Sequence, residues 1–239
     1  MLSLCSIPHC ARGQQPAPVE DVSSFPPRSA GEERKALHVP AGFEIQLVAS
    51  EPQINKPLNL AFDDRGRLWV TSTVEYPYPA KEGTRPRDSV KILSDFRADG
   101  RAQKVETFAD GLNIPIGLLP LPSANAAFVH NIPNIYLMKD TNGDGRADTR
   151  DVLYGLFGKR DTHGMTNAFT WGFDGWIYAC HGFANDSNVE GRDHKSITMN
   201  SGNTYRMRAD GSHAEYFTHG QVNPFGLAFD TLGYLYSCD

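Results

Sequence analysis

The sequence predicts an all-β fold, a β-propeller built from four-stranded blades. The first observation is a repeat in which a proline opens a short apolar strand. Its copies start at positions 57, 115, 166 and 224, the third with Thr166 in place of proline, so they are 58, 51 and 58 residues apart. Fixed periods of this length are typical of propellers and repeat arrays. The second observation is that the 239 residues include 22 Gly and 16 Pro, which suits short strands joined by turns.

Each repeat is predicted to contain the same four elements in order. A proline entry turn comes first, and a glycine hairpin then leads into a strand that carries an aromatic residue. These aromatic strands are 68–70, 127–129, 177–179 and 235–237. Alternating strands follow at 90–93, 135–138 and 204–207. Outer strands come after Asp-Gly turns and end at Gly111, Gly155 and Gly220. Four short strands with period-two patterning make one blade.

The predicted domain boundary lies between residues 36 and 37. Residues 14 to 35 are rich in Pro, Ser, Ala and charge, which is typical of a disordered linker. The first residues contain a short apolar stretch with Cys5 and Cys10, which is either the remnant of an export signal or a disordered tail. Residues 1–36 are therefore predicted to be a tail and residues 37–239 a partial propeller.

The fourth repeat is expected to be incomplete at Asp239. An open propeller exposes unpaired strand edges, which favour aggregation. We therefore interpret the chain as the front part of a larger, six-bladed propeller, with about four blades or fewer in this sequence. A closed four-bladed propeller is the alternative.

The charge, hydropathy and cysteine content of the chain argue against nucleic-acid binding, a membrane span and a disulfide scaffold. The net charge is -5 and no basic stripe occurs, so nucleic acid is not an expected partner. No run of 18 apolar residues occurs, so no membrane span is predicted. Four cysteines are too few for a disulfide scaffold at this length.

The loop from residue 140 to residue 151 has the spacing of an EF-hand calcium loop. Counting from its first residue, side-chain oxygens stand at positions 1, 3, 5, 9 and 12, with glycine at 6 and a backbone carbonyl offered at 7. The predicted metal ligands are Asp140, Asn142, Asp144, Arg146, Asp148 and Asp151. Two features depart from an EF-hand, since position 12 is Asp and the loop joins strands. The alternative is an Asp/Gly-rich hairpin without an ion.

The repeat register also predicts a ring of polar side chains around the propeller axis. Two positions past the strand aromatic stand Thr71, His130, Cys180 and Cys238. Three positions past it stand Ser72, Asn131, His181 and Asp239, and the entry loops contribute Asn55, Asn113, His163 and Asn223. Of these, we predict that a polar ligand or cofactor is bound by His130, Asn131, Asn223 and Asp239. The alternative is a solvated channel.

His163 and His181 are the candidate catalytic residues. Histidine titrates near neutral pH and acts as a general base or a metal ligand. The alternative for each is a hydrogen-bonded structural residue. Cys180 and Cys238 occupy equivalent positions, which allows either a disulfide in an exported chain or two buried free thiols.

Two resemblances add to this interpretation. The segment from His163 through residues 171–178 resembles the part of soluble quinoprotein glucose/sorbosone dehydrogenases that carries their catalytic histidine. Those proteins are six-bladed propellers that use pyrroloquinoline quinone and calcium. The resemblance implies that His163 removes the proton as hydride leaves the sugar carbon.

A resemblance that covers nearly everything from residue 37 onward is to the N-terminal propeller of PVC-type haem-binding proteins, also described as a membrane-bound dehydrogenase domain. The matching stretches are 39–43, 49–52, 66–70, the loop from residue 140, 161–164 and 222–226. This resemblance implies an exported, extracytoplasmic protein. It also implies a cytochrome-type electron acceptor, although this chain has no Cys-x-x-Cys-His for haem c.

The sequence therefore predicts a propeller that oxidises a sugar or alcohol and passes electrons to a haem domain or partner outside this chain. His163 is the expected base, and His181 with Asn131 is expected to orient substrate or cofactor. One alternative is a non-catalytic propeller that binds carbohydrate or protein. Another is an inactive fragment that lacks the blades completing the cofactor pocket.

Overall fold

The computed structural model describes residues 26–239, and the predictions about Cys5, Cys10 and the export signal lie outside them. The prediction of an all-β propeller is confirmed. The strands form successive antiparallel sheets, three of them four-stranded. The described residues divide into two compact units, one that ends at Ile45 and one that spans Gln46–Asp239.

Within the described part of the first unit, a short helix stands where the sequence suggested only a disordered linker. Helix α1 spans Ala30–Ala36. A capping box starts it, because Ser29 accepts the Glu32 backbone N–H while the Glu32 carboxylate accepts the Ser29 N–H at 2.8 Å. Acidic residues in its first turn and basic residues in its last turn complement the helix dipole.

The second unit contains the propeller. The first blade consists of β1 (Lys56–Phe62), β2 (Leu68–Thr73), β3 (Asp88–Phe96) and β4 (Ala102–Leu112). The second consists of β5 (Leu118–Pro120), β6 (Ala126–Asn131), β7 (Asn134–Lys139) and β8 (Thr149–Tyr154). The third consists of β9 (Asn167–Trp171), β10 (Ile177–His181), β13 (Gly202–Met207) and β14 (Ala214–Gln221). A fourth sheet contains β15 (Leu227–Phe229) and β16 (Leu235–Ser237). In every blade, strands that follow one another in the blade are paired neighbours.

The third blade carries an insertion that the repeat pattern did not predict. Strands β11 (Asp186–Glu190) and β12 (Ser196–Asn200) form a separate hairpin between β10 and β13. In β11 only Ser187 and Val189 are buried, and the residues that alternate with them are polar and exposed. A strand with so few apolar residues looks like a loop in the sequence.

The sequence Asp-x-x-Gly-x-Leu-aromatic stands at residues 63–69 and 230–236, where it forms the turn between the first and second strands of a blade. In the first blade, the Asp63 carboxylate accepts backbone N–H groups of Arg65 and Arg67 and the Trp69 indole N–H. The same link recurs between Asp174 and the Tyr178 hydroxyl. It recurs once more between Asp230 and Tyr236. In all three turns, including the shorter Asp-Gly turn at Asp174, an aspartate is thus bonded to the aromatic residue of the following strand.

The predicted polar ring does not lie on the innermost strands. The strands that adjoin one another from blade to blade are β1, β5, β9 and β15. The aromatic strands β2, β6 and β10 are second in their sheets, so Thr71, His130 and Cys180 are fully buried within the protein. The repeat register identified equivalent positions correctly but assigned them to the wrong strand of the blade.

Candidate functional site

The turn that carries His163 places an exposed imidazole beside a carboxylate. His163 lies between β8 and β9, and its side chain is 59% exposed. Its Nδ1 is 2.9 Å from Asp161 Oδ1, which also accepts the His163 backbone N–H at 2.9 Å. The ring meets Tyr76 edge-on, with centroids 5.3 Å apart. The turn therefore presents an imidazole whose inner nitrogen is held by a carboxylate.

Three buried or part-buried contacts fix this turn. The Thr162 hydroxyl donates to the Pro77 carbonyl at 2.6 Å, which joins the turn to a loop of the first blade. The fully buried Asn185 donates to the Asp161 carbonyl at 2.7 Å and accepts the Asp161 N–H at 3.2 Å. A Cβ on Gly164 would overlap the backbone of Phe183, so only glycine fits there. The sequence interpretation missed Asn185, which carries no motif of its own.

The electrostatics of the turn keep Asp161 ionised. Burial raises the pKa of Asp161, but hydrogen bonds from the His163 backbone and ring and the charge of Arg160 outweigh it, so its pKa lies below the usual value. An ionised carboxylate on Nδ1 holds the tautomer in which Nε2 carries the lone pair. No hydrogen bond from residues 26–239 reaches His163 Nε2. That atom can therefore accept a proton from a bound hydroxyl.

His181 is not an open catalytic group. It is fully buried, its Nδ1 donates to the Ser201 carbonyl at 2.9 Å, and its Nε2 lies 2.7 Å from the Ser187 hydroxyl. Burial lowers the pKa of His181. One ring nitrogen thus bonds to β11 of the inserted hairpin and the other to the residue that follows β12, so His181 is a hydrogen-bonded structural residue.

His130 and Asn131 are two of the residues predicted to bind a ligand or cofactor, and each lies in a different environment. His130 is fully buried, neither ring nitrogen has a hydrogen-bond partner among the described residues, and it packs edge-on against Phe157. Burial lowers its pKa to about 3, so it is neutral. Asn131 accepts the Asn113 backbone N–H at 2.5 Å and so fixes an entry loop.

Asn223 and Asp239 are brought together, and both adjoin the His163 turn indirectly. Asp239 accepts the backbone N–H of Asn223 at 3.1 Å. The Asn223 amide oxygen accepts the Phe183 N–H at 2.9 Å. Gly182 beside it donates its N–H to the carbonyl of Gly164. A polar path therefore leads from Asp239 to the turn, whereas His130 and His181 lie outside it.

The predicted calcium loop is closed by its own hydrogen bonds. The Asp140 carboxylate accepts the N–H groups of Gly143 and Gly145, at 2.6 and 2.9 Å. Position 9, Asp148, turns back to accept from the backbone and hydroxyl of Thr141. Position 12, Asp151, lies on β8 with its carboxylate 3.6 Å from Lys139 Nζ.

The other predicted ligands make similar local bonds. Asn142 accepts the Asp144 N–H at 2.9 Å, and Asp144 accepts the Arg146 N–H at 2.8 Å. Across residues 26–239, no three His, Cys, Asp or Glu side chains stand together as a ready-made metal site.

The cysteines of the predicted ring are free thiols. Cys180 is buried and Cys238 is exposed. Burial raises the pKa of Cys180 to about 11, with the nearby Cys238 and Asp239 adding to the effect. Cys180 is therefore a protonated, unreactive thiol at neutral pH.

Some solved structures of known proteins are similar to this chain. No helix among residues 26–239 has the length and apolar character needed to cross a membrane. One similar solved structure is of a protein assigned as a gluconolactonase, with 17% identity, a TM-score of 0.45 and coverage of 80% of this chain and 57% of that one. Another is a luciferin-regenerating enzyme, with 12% identity, a TM-score of 0.37 and coverage of 80% and 72%. The chain thus spans little more than half the length of the first of these structures.

A search of curated proteins gives no match. A search of protein families does give one, and it extends from the helix-capping Ser29 to Asp239, two residues beyond the fourth sheet. Residues 29–239 match the family described as a domain of unknown function, DUF7133, and the chain belongs to that family.

Proposed function

We propose that this propeller domain oxidises a sugar or alcohol, with His163 as the general base. The observation that carries the proposal is the Asp161–His163 pair on an exposed turn, with Nδ1 held at 2.9 Å and Nε2 open. In such an oxidation, the substrate hydroxyl proton passes to Nε2 while the carbon releases hydride to an organic two-electron acceptor, a redox cofactor or dye. Asp161 stabilises the imidazolium that forms, because its carboxylate stays ionised.

The hydride acceptor lies outside this arrangement. Pyrroloquinoline quinone is rich in carboxylates, and cationic side chains are the groups that hold carboxylates most firmly. The groups that contact or act on the Asp161–His163 pair are the ring of Tyr76 and the charge of Arg160, with no cluster of cationic side chains among them. This set does not fit the quinone, so we assign no step to it. A cytochrome takes one electron at a time, so a cytochrome-type partner would reoxidise the two-electron acceptor and would not take the hydride itself. This partner and an extracytoplasmic location remain parts of the proposal.

Calcium is a separate part of the proposal, with a structural role. Its support is the donor spacing from Asp140 to Asp151 and the tight loop that already orients Asp140, Asn142 and Asp144. Calcium binding would require the Asp148 side chain to turn away from Thr141. The loop without calcium and the loop with calcium bound would therefore differ in shape.

Replacement of His163 tests the catalytic proposal. We expect His163→Ala to abolish dye-linked oxidation in a panel of sugars and alcohols without changing the melting temperature. His194 is a matched control, because it is exposed and its Nδ1 also lies 2.9 Å from a carboxylate, that of Glu190. His194→Ala should keep full activity. Full activity in His163→Ala would refute the role of His163.

A non-catalytic carbohydrate-binding propeller is the second candidate. Tyr78 favours it, since its ring is 79% exposed on the loop that also carries Tyr76. Exposed aromatic rings stack against the apolar faces of sugars. This candidate predicts saturable glycan binding that Tyr78→Ala weakens, with no redox turnover in the wild-type protein.

A further inference from the structure

A cavity of about 490 Å³ lies against the outer strand of the third blade. It is bounded by β14, the start of β13 and the last residue of β12, and His163 is not among its lining residues. Its polar lining side chains are Asn200, Asn203, Tyr216, His219 and Gln221. The volume is within the range of small-molecule binding sites.

The hollow exists because β14 departs from a regular ladder. Its pairing with β13 shifts between Gly202 and Asn203 and again between Thr204 and Tyr205. Such bulges bend a strand and recur beside binding sites. Gly202 permits the close approach of the two strands, since a Cβ there would overlap the Gln221 carbonyl, and Gly220 has the positive φ of +100°.

The cavity wall is rich in hydrogen-bonding groups and has no Lys, Arg, Asp or Glu among its lining residues. Asn203 is only 5% exposed and donates to the Ser201 carbonyl at 2.7 Å, which leaves its amide oxygen for a ligand. The side chains of Asn200, Tyr216 and His219 have no hydrogen bond to another residue in the described part of the chain. Gln221, by contrast, is fixed through the Thr204 hydroxyl at 3.0 Å.

We propose that this cavity binds a neutral saccharide. A charged ligand would find no counter-ion there, whereas a sugar matches amide and imidazole groups with hydroxyls that both donate and accept. Tyr216, 46% exposed, supplies an aromatic face for the C–H side of a pyranose ring. The inference does not depend on the proposed oxidation, because it uses none of the residues of the His163 turn.

Titration calorimetry of the whole chain with glucose, galactose, xylose and cellobiose tests the inference. We expect saturable binding of at least one sugar. In Tyr216→Ala, the affinity for that sugar should be weaker by about tenfold. Asn200→Ala, a change at an exposed position, should weaken binding as well. Tyr234→Ala is the matched control, since Tyr234 is 64% exposed outside the cavity and its loss should leave the affinity unchanged.

Each contrary outcome has a distinct meaning. The inference is wrong if no sugar binds, or if the affinity is the same in wild type, Tyr216→Ala and Asn200→Ala. It is equally wrong if tri-alanine binds at the cavity and the sugars do not, which would make the site a peptide site. His163→Ala should retain sugar binding at this cavity, so a failure of the proposed oxidation can be told apart from a failure of this inference.

Discussion

The indole of Trp69 donates its Nε1–H to the carboxylate of Asp63 at 2.9 Å, beneath the turn that joins the first two strands of a blade. The Asp63 side chain is only 2% exposed, and Arg67 donates to the same carboxylate at 2.7 Å. Burial raises the pKa of Asp63, but the bonds from Trp69 and Arg67 lower it below the usual value. This carboxylate is therefore an anionic centre that secures both the turn and the strand.

We expect Asp63→Ala to lower the free energy of unfolding by about 2–4 kcal/mol, because it leaves a buried indole N–H and two backbone N–H groups without their acceptor. Urea denaturation measures the effect. Asp99→Ala is the control, since that exposed carboxylate accepts one backbone N–H at 3.1 Å. Equal losses in the two variants would contradict the anchoring role of Asp63.

His130 should make the protein sensitive to acid. Its folded-state pKa of about 3 lies below the ordinary value near 6.5, so the unfolded chain binds a proton that the folded chain does not. Above pH 6.5, the protonation of His130 in the unfolded chain does not lower the free energy of unfolding. As the pH falls from there towards 3, it lowers this free energy by about 1.4 kcal/mol per pH unit. We expect His130→Leu to flatten this part of the stability–pH curve, measured by urea denaturation at several pH values. An unchanged slope would show that other groups cause the acid sensitivity.

Asn185 is expected to position the His163 turn. Asn185→Ala removes both hydrogen bonds to the Asp161 backbone, so amide hydrogen exchange at residues 161–164 should accelerate by tenfold or more while exchange in β4 stays slow. Asn188→Ala is the control in β11, three residues along the chain, because its amide oxygen accepts only the Thr198 hydroxyl at 3.2 Å. Uniform acceleration throughout the propeller would indicate a general loss of stability instead.

Calcium gives a further prediction, at the loop from Asp140. If the donor spacing serves an ion, millimolar calcium should raise the melting temperature of the wild type, and a chelator should reverse the rise. Asp144→Ala should remove this response because it deletes a ligand oxygen, whereas Asp99→Ala should keep it. A melting temperature that does not change with calcium would identify the loop as an ion-free Asp/Gly hairpin.

The sequence predicted the strands well, because each Asp-x-x-Gly-x-Leu-aromatic motif encodes both a turn and the strand beside it. It did not predict the β11–β12 hairpin, where Val189 is one of few apolar residues. Nor did it distinguish His163 from His181, since exposure depends on which hairpins cover a strand end. The repeat register likewise gave His130 and Cys180 equivalent positions without showing that they are buried.

The bond from Thr162 to Pro77 joins residues 85 positions apart in the chain. Closing a loop of this length has an entropic cost that other contacts must offset. We therefore expect the His163 turn to acquire its fixed shape late in folding. Its geometry therefore serves as a local reporter of whether the first and third blades have come together correctly.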